Sequence, residues 1–292
     1  MVLSLKEVTL VCLDTRNIGV ALHSMSSSLS HAQFGESILF TSKALCSEDV
    51  INEAKILGIK LEFISELKSI TEYSYFILAK LDKYISTKFC LITQWDSWII
   101  ERKFWDSDFL NYDYIGAIWP HYSENKIGNG GFSLRSKRLL ESTRNYIISM
   151  PDFSTPLIED DYICRERRKI FEEKYQIKFP TNEIANRFSV ERNGVPLRSF
   201  GFHGMFHFNF VIKKDFDLRR LINKLSDECF VNRASYDLTK SLLEEKRITI
   251  AKLIIKRRLK LTGLSTKNVK LVFLLLIRTS IMKVMQLLKE NK

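Results

Sequence analysis

The sequence predicts an α/β fold built on a mainly parallel central sheet with flanking helices, extended at its C-terminal end by further helix. Three observations carry this. Apolar strand-like runs alternate with segments of helical periodicity over residues 7–93. A glycine-rich stretch near residue 130 then leads into another alternating run. Beyond about residue 240, Lys and Arg are interspersed with Leu and Ile at helical spacing.

Residues 7–14 (EVTLVCLD) form the first predicted strand, which ends at Asp14-Thr15-Arg16. Residues 17–29 suit a helix and 37–41 a second strand. Residues 47–57 read as helix with Gly58 as its C-terminal cap, and 60–64 as a third strand. Residues 73–85 have helical periodicity, and 88–93 (KFCLIT) form the fourth strand. Strands joined through helices in this order run parallel, with helices on both faces of the sheet. Such sheets bind ligands beyond the carboxyl ends of their strands. Asp14-Thr15-Arg16 and Gln94-Trp95-Asp96 both fall at such ends. After Asp96 the pattern turns irregular and aromatic-rich through 112–119. It resumes in the glycine strand and two helices, about 137–148 and 160–175.

Composition supports a packed body. Hydrophobic residues make up 45% of the 292-residue chain, enough for a core and too many for global disorder. Five scattered cysteines lack metal-ligand spacing and read as free thiols of a reducing cytoplasm. No signal peptide is predicted at the N-terminus, and no apolar run reaches the roughly 20 residues of a membrane span. The net charge of +11 is unevenly placed: residues 240–292 hold 14 Lys and Arg against three Glu, whereas the rest carries 31 basic and 31 acidic groups. The chain thus divides into a neutral body, residues 1–235, and a basic helical tail, residues 236–292. A neutral body argues against nucleic acid as a substrate.

Two clusters carry candidate chemistry. Gly128-Asn129-Gly130-Gly131-Phe132-Ser133-Leu134-Arg135 has three glycines in four positions. These permit either close approach of another group or backbone angles denied to side chains. Glu159-Asp160-Asp161 places three carboxylates at a predicted helix start, where general-base chemistry could draw on one of them. Acidic residues also favour any helix N-terminus, so the residues alone leave both readings open. The same holds for Asp96, which suits a turn or cap, and for His203, which suits packing among Phe200, Phe202 and Phe206.

Five motifs in order carry a resemblance: Gln94-Trp95-Asp96-Ser97-Trp98, Tyr112-Asp113-Tyr114-Ile115-Gly116-Ala117, the glycine stretch, Glu159-Asp160, and Phe200-Gly201-Phe202-His203-Gly204. Over residues 8–204 the chain resembles a family of bacterial glycosyltransferase-like proteins related to the GT-A nucleotide-sugar transferases. The resemblance implies a GT-A-like, Rossmann-like sheet and a nucleotide-sugar donor lying across the ends of the first and fourth strands. Thr15 and Arg16 would face the nucleotide or its diphosphate, while Gln94, Asn129, Gly130 and Gly131 would line the donor. A Mn²⁺ or Mg²⁺ ion would sit against the diphosphate, a role that suits a hard cation with oxygen ligands. Asp96 would be its carboxylate ligand and His203 a second. Gln94 and Ser97 are neutral, and the family more often has Gly where Ser97 stands. Asp160, beside Glu159, would take the proton from an acceptor hydroxyl, with inversion at the sugar. The acceptor implied is a lipid-linked or cell-surface glycan or a glycolipid.

The tail completes the expectation. Residues 242–261 and 270–288, separated by a break at Gly263, read as basic amphipathic helices suited to an anionic membrane surface. This places the protein in the cytoplasm, peripheral on the inner face of the membrane. A helical hairpin packed on the body or on a second subunit is the alternative. Two further readings also stay open: a catalytically silent protein that binds sugar nucleotides or glycans, and a scaffold of a membrane-associated assembly.

Overall fold

The computed structural model describes residues 2–150 and 155–290, with side chains through residue 281. The chain divides into two compact units, Met1–His203 and Gly204–Lys292. The first unit opens as the sequence predicts: β1 (Leu3–Leu13), α1 (Ile18–His31), β2 (Ala32–Thr41), α2 (Glu48–Ile56), β3 (Lys60–Phe63), α3 (Ile70–Ala79) and β4 (Phe89–Thr93). There follow β5 (Ser97–Ile99), β6 (Tyr114–Ile118), β7 (Ile127–Ser136), α4 (Lys137–Ser149), the single turn α5 (Glu159–Asp161), α6 (Arg168–Tyr175), α7 (Asn182–Phe188), β8 (Ser189–Val190) and β9 (Gly201–His203).

Six strands form the central sheet in the order β3-β2-β1-β4-β7-β6. β1 to β4 are mutually parallel, and β7 runs antiparallel to both of its neighbours. The expected α/β fold is therefore the one adopted. Alternation along β1 shows why the sheet is filled on both sides. Leu10 and Cys12 join a cluster with Leu39, Leu91 and the α1 residues Ala21, Leu22 and Met25. Val11 and Leu13 point the other way, into a cluster with Phe40, Ile92 and the α3 residues Phe76 and Ile77. A second, three-stranded sheet, β5-β9-β8, brings the segment after β4 beside His203.

The structure differs from the sequence reading at several boundaries. β1 and β2 start earlier than expected, because their first residues mix exposed polar groups into the ladder. The predicted helix 73–85 ends at Ala79 and continues as a 3-10 turn, Leu81–Tyr84. The predicted helix 160–175 is interrupted by a π-turn, Tyr162–Glu166, before α6. The irregular segment 112–119 contains β6, which lacks visible alternation because all five of its residues are buried. Gly58 does cap α2: its φ of 67° lets Ile59 N–H return to Ala54 O at 2.9 Å.

The second unit is helical: α8 (Phe208–Val211), α9 (Asp215–Lys224), α10 (Arg233–Glu244), α11 (Ile248–Thr262) and α12 (Thr266–Glu290). Residues 204–235, read in the sequence as part of the body, lie in this unit. Three of the basic residues are used to hold it together. Arg257 pairs with Asp227 and donates to Leu225 O, each at 2.7 Å. Arg247 pairs with Asp215 at 2.6 Å, and buried Arg258 donates to Phe230 O at 2.7 Å. Gly263 ends α11 with φ 59°, as expected of a break between two helices. The last part of the predicted tail pattern, 282–288, lies outside the described side chains.

Candidate active site

The glycines of β7 have ordinary backbone angles, so close approach and not unusual φ explains them. A Cβ on Gly128 would stand 2.2 Å from the ring of Trp119. One on Gly130 would stand 2.3 Å from Glu159 Oε1, and one on Gly131 2.3 Å from His203 Nε2. Consecutive strand residues face opposite ways, so Gly130 and Gly131 accommodate different groups.

Below Gly130 lies a buried ion pair. Arg135 is fully buried, and its guanidinium faces Glu159 with its two terminal nitrogens, Nη1 to Oε2 at 2.7 Å and Nη2 to Oε1 at 3.0 Å. Arg135 also lies over the Tyr114 ring, and its Nε donates to Ser133 Oγ at 3.0 Å. Both Glu159 oxygens are therefore committed to Arg135. Asp160 is differently placed: it keeps partial exposure, and its Oδ2 accepts from Gly130 N–H at 2.8 Å while Oδ1 accepts from Asp161 N–H at 2.9 Å. Burial of its carboxyl and the adjacent Glu159 charge push its pKa up to about 7, against the lowering effect of the Gly130 and Asp161 amides and Arg135. Asp161 turns to Arg165, 3.1 Å away.

Beside Gly131 a second group gathers. Asp96 lies at the carboxyl end of β4, and its Oδ1 is 3.5 Å from His203 Nε2. Gln94 Oε1 lies 3.2 Å from the same nitrogen, and Gln94 Nε2 donates to Tyr73 OH at 3.1 Å. Glu191 approaches the other ring nitrogen, Nδ1, at 3.8 Å. Burial by itself would lower the His203 pKa, but Asp96, Glu191 and Asp160 outweigh it and raise it to about 9. Ser97 Oγ anchors the turn, donating to Gly131 O at 2.6 Å and accepting from Gln94 N–H at 2.8 Å.

The remaining predicted residues are more structural. Asp14 Oδ1 accepts from the N–H groups of Arg16 and Asn17, at 2.7 and 2.6 Å, and so starts α1. Burial raises its pKa, and Asp96 adds to that shift. Thr15 is buried and accepts from Leu67 N–H at 3.2 Å. Arg16 is exposed, with NH2 3.2 Å from Lys68 O. Asn129 is buried in β7, its Oδ1 accepting from Gly131 N–H at 3.3 Å. Trp98 and Trp119 are buried.

Tyr73 and Glu191 were not visible as site residues in the sequence. Tyr73 shares a helix with Phe76 and Ile77 and reads there as core. Burial, with the Glu159 charge behind it, raises its pKa and keeps the phenol neutral. Glu191 follows a two-residue strand and carries no motif.

A protein family described as "Protein of unknown function (DUF5672)" matches residues 58–203, half of the chain. The chain belongs to that family. The DUF5672 match runs from the β3 edge to His203 and so includes Tyr73, Gln94, Asp96, the glycines of β7, Arg135, Glu159, Asp160 and Glu191. No curated protein sequence matches.

Solved structures similar to this DUF5672 protein include the glycosyltransferase GlyE of Streptococcus pneumoniae TIGR4 (14% identity, TM-score 0.43, covering 67% of this chain and 53% of GlyE). This chain thus spans about half of that one. Another is a glycosyltransferase involved in glycosylation of the major capsid of PBCV-1 (12% identity, TM-score 0.43, covering 74% and 98%). A third is the mannosyltransferase PcManGT of Pyrobaculum calidifontis, in complex with GDP-Man and Mn²⁺ (13% identity, TM-score 0.38, covering 95% and 87%).

Proposed function

We propose that this DUF5672 protein is a glycosyltransferase that moves a sugar from a nucleotide-diphosphate donor to an acceptor hydroxyl. One observation supports this above the rest: the desolvated carboxylate of Asp160, a residue that keeps partial exposure, is held by the amide of Gly130, beside strand-end groups suited to a donor's phosphates. A carboxylate whose pKa lies near 7 is matched to taking a proton from a hydroxyl at neutral pH. In this reading Asp160 receives the acceptor's proton while that oxygen bonds to the anomeric carbon. The bond from that carbon to the phosphate oxygen breaks, and the nucleoside diphosphate leaves with its electron pair. Attack opposite the leaving group inverts the anomeric centre. Glu159, with both oxygens on Arg135, has a positioning role and not that of the base.

A divalent cation fits the donor set in part. Among the described residues no group of three or more His, Cys, Asp and Glu is arranged to hold a metal. Asp96 Oδ1, His203 Nε2 and the neutral Gln94 Oε1 nevertheless converge, and these are the groups that would hold Mn²⁺ or Mg²⁺. Such an ion, when bound, would neutralise charge on the departing diphosphate. His203 would have to give up its Nε2 proton to ligate, so its raised pKa makes binding pH-dependent. Thr15 and Arg16, at the end of β1, would face the nucleotide or its phosphates, and Asn129 would line the sugar. The acceptor class proposed is a glycan or glycolipid.

Calorimetric titration with a panel of nucleotide sugars, with and without Mn²⁺, tests this reading. Binding of one donor, weakened in Asp96→Ala, is the expected result. No binding to any donor would overturn it, and binding without transfer to any acceptor would favour a silent sugar-nucleotide-binding protein.

A further inference from the structure

The second unit carries an apolar face that its own packing does not use. α12 buries Asn268 and Leu271, and Asn268 Nδ2 donates to Thr262 Oγ1 at 2.9 Å and to Gly263 O at 2.7 Å, which fixes its start against the end of α11. The opposite side exposes Val269, Phe273, Leu276, Ile277 and Ile281, with Phe273 65% and Leu276 60% exposed. Their spacing of three, four and eight residues puts them on one side of the helix. Exposed Lys270 stands on the same side, exposed Lys267 lies at its edge, and Leu264 just before the helix is 80% exposed.

Charge identifies what this face meets. Residues 204–292 contain 20 Lys and Arg against eight Asp and Glu, so the second unit holds all of the chain's net positive charge. Arg247 and Arg257 are neutralised by Asp215 and Asp227. Lys252, Lys256 and Lys260, four residues apart on α11, are all exposed and form a row of their own. A second copy of the chain seated on the stripe would bring two strongly basic units together, which like charges oppose. An anionic lipid surface is complementary in both respects: the aromatic and aliphatic side chains enter the headgroup boundary, and the lysines meet the phosphates. No described helix is long and apolar enough to cross a membrane, and α12 would lie in the interface.

We propose that the exposed face of α12, with Phe273 at its centre and Lys267 and Lys270 beside it, docks the protein on an anionic bilayer surface. This does not rest on the transferase reading. The full chain, floated with phosphatidylcholine vesicles with or without phosphatidylglycerol, should bind the anionic vesicles at least about tenfold more tightly and release them at high salt. Phe273→Ser with Ile277→Ser should weaken binding by about ten- to a hundredfold. Lys267→Glu with Lys270→Glu should weaken it by about tenfold or more. All four positions are exposed, so unchanged thermal unfolding would show that the variants fold. Equal binding to both vesicle types, or anionic binding unchanged by Phe273→Ser with Ile277→Ser, would overturn the proposal. So would a concentration-dependent dimer, seen by light scattering, that those substitutions abolish while vesicle binding persists.

Discussion

Gly130 and Gly131 are consecutive in β7, yet each makes room for a different half of the candidate site. Gly130 admits Glu159 and gives its amide to Asp160, over a buried Arg135 that fixes the acidic turn to the strand. Gly131 admits the His203 imidazole, which Asp96, Gln94 and Glu191 surround. The first half has the buried Arg135–Glu159 ion pair at its base. The second is polar, with side chains that meet at 3.2–3.8 Å and could re-form around a ligand. In the proposed mechanism one strand separates the proton acceptor from the groups for phosphate or cation, which still sense each other through the Asp160 charge that helps raise the His203 pKa.

The largest effect expected from breaking the acid half is on stability. Arg135→Met leaves Glu159 buried without its partner and should cost about 3–5 kcal/mol in denaturant unfolding. Arg135→Met combined with Glu159→Leu should recover most of that loss, because it replaces the pair by apolar groups of similar size. If the single variant costs under about 1 kcal/mol, the pair does not anchor the acidic turn to the strand. Gly131→Ala should cost less, about 1–3 kcal/mol, through overpacking against the His203 ring, and by moving that ring should lower affinity for Mn²⁺ and donor by about 10- to 100-fold by calorimetry. A matching loss in the acid half, read as a shifted pH profile, would show that the two halves are not separable. The smallest effect is on that profile. Asp160 must be ionised to accept a proton, so log kcat/KM should rise with pH and level off above about 7. Glu159→Gln removes a neighbouring negative charge and should move the rise to lower pH; a shift upward or none would count against the proposed electrostatics.

The sheet was legible because β1 to β4 carry apolar runs punctuated by turn residues, and Gly58 marked a helix end correctly. β6 was not, because complete burial erases alternation. The interruption of 160–175 was hidden for a related reason. Its residues keep helical spacing, and a π-turn adds one residue per turn without changing composition. In the site, Asp96, Gly130, Gly131, Asp160 and His203 stood out by motif, and the structure brings them together. Their partners did not stand out. Arg135 ended a strand-like run, Tyr73 sat on an apolar helix face, and Glu191 followed a strand too short to detect. Such partners are chosen by tertiary proximity, 24 residues apart for Arg135 and Glu159 and 109 for Gln94 and His203, which local pattern cannot report. For the same reason only the resemblance, and no local pattern, distinguishes Asp160 from Glu159 in the sequence, whereas in the fold Glu159 pairs with Arg135 and Asp160 takes the Gly130 amide.

The distinction between those two carboxylates is the most direct test. Sugar transfer and donor affinity should be measured on Asp160→Asn with the donor identified by calorimetry. A fall in turnover of about 10²- to 10⁴-fold with donor affinity unchanged is expected of a lost general base. Turnover within a few-fold of the unaltered protein would contradict the assignment of Asp160 and the mechanism built on it.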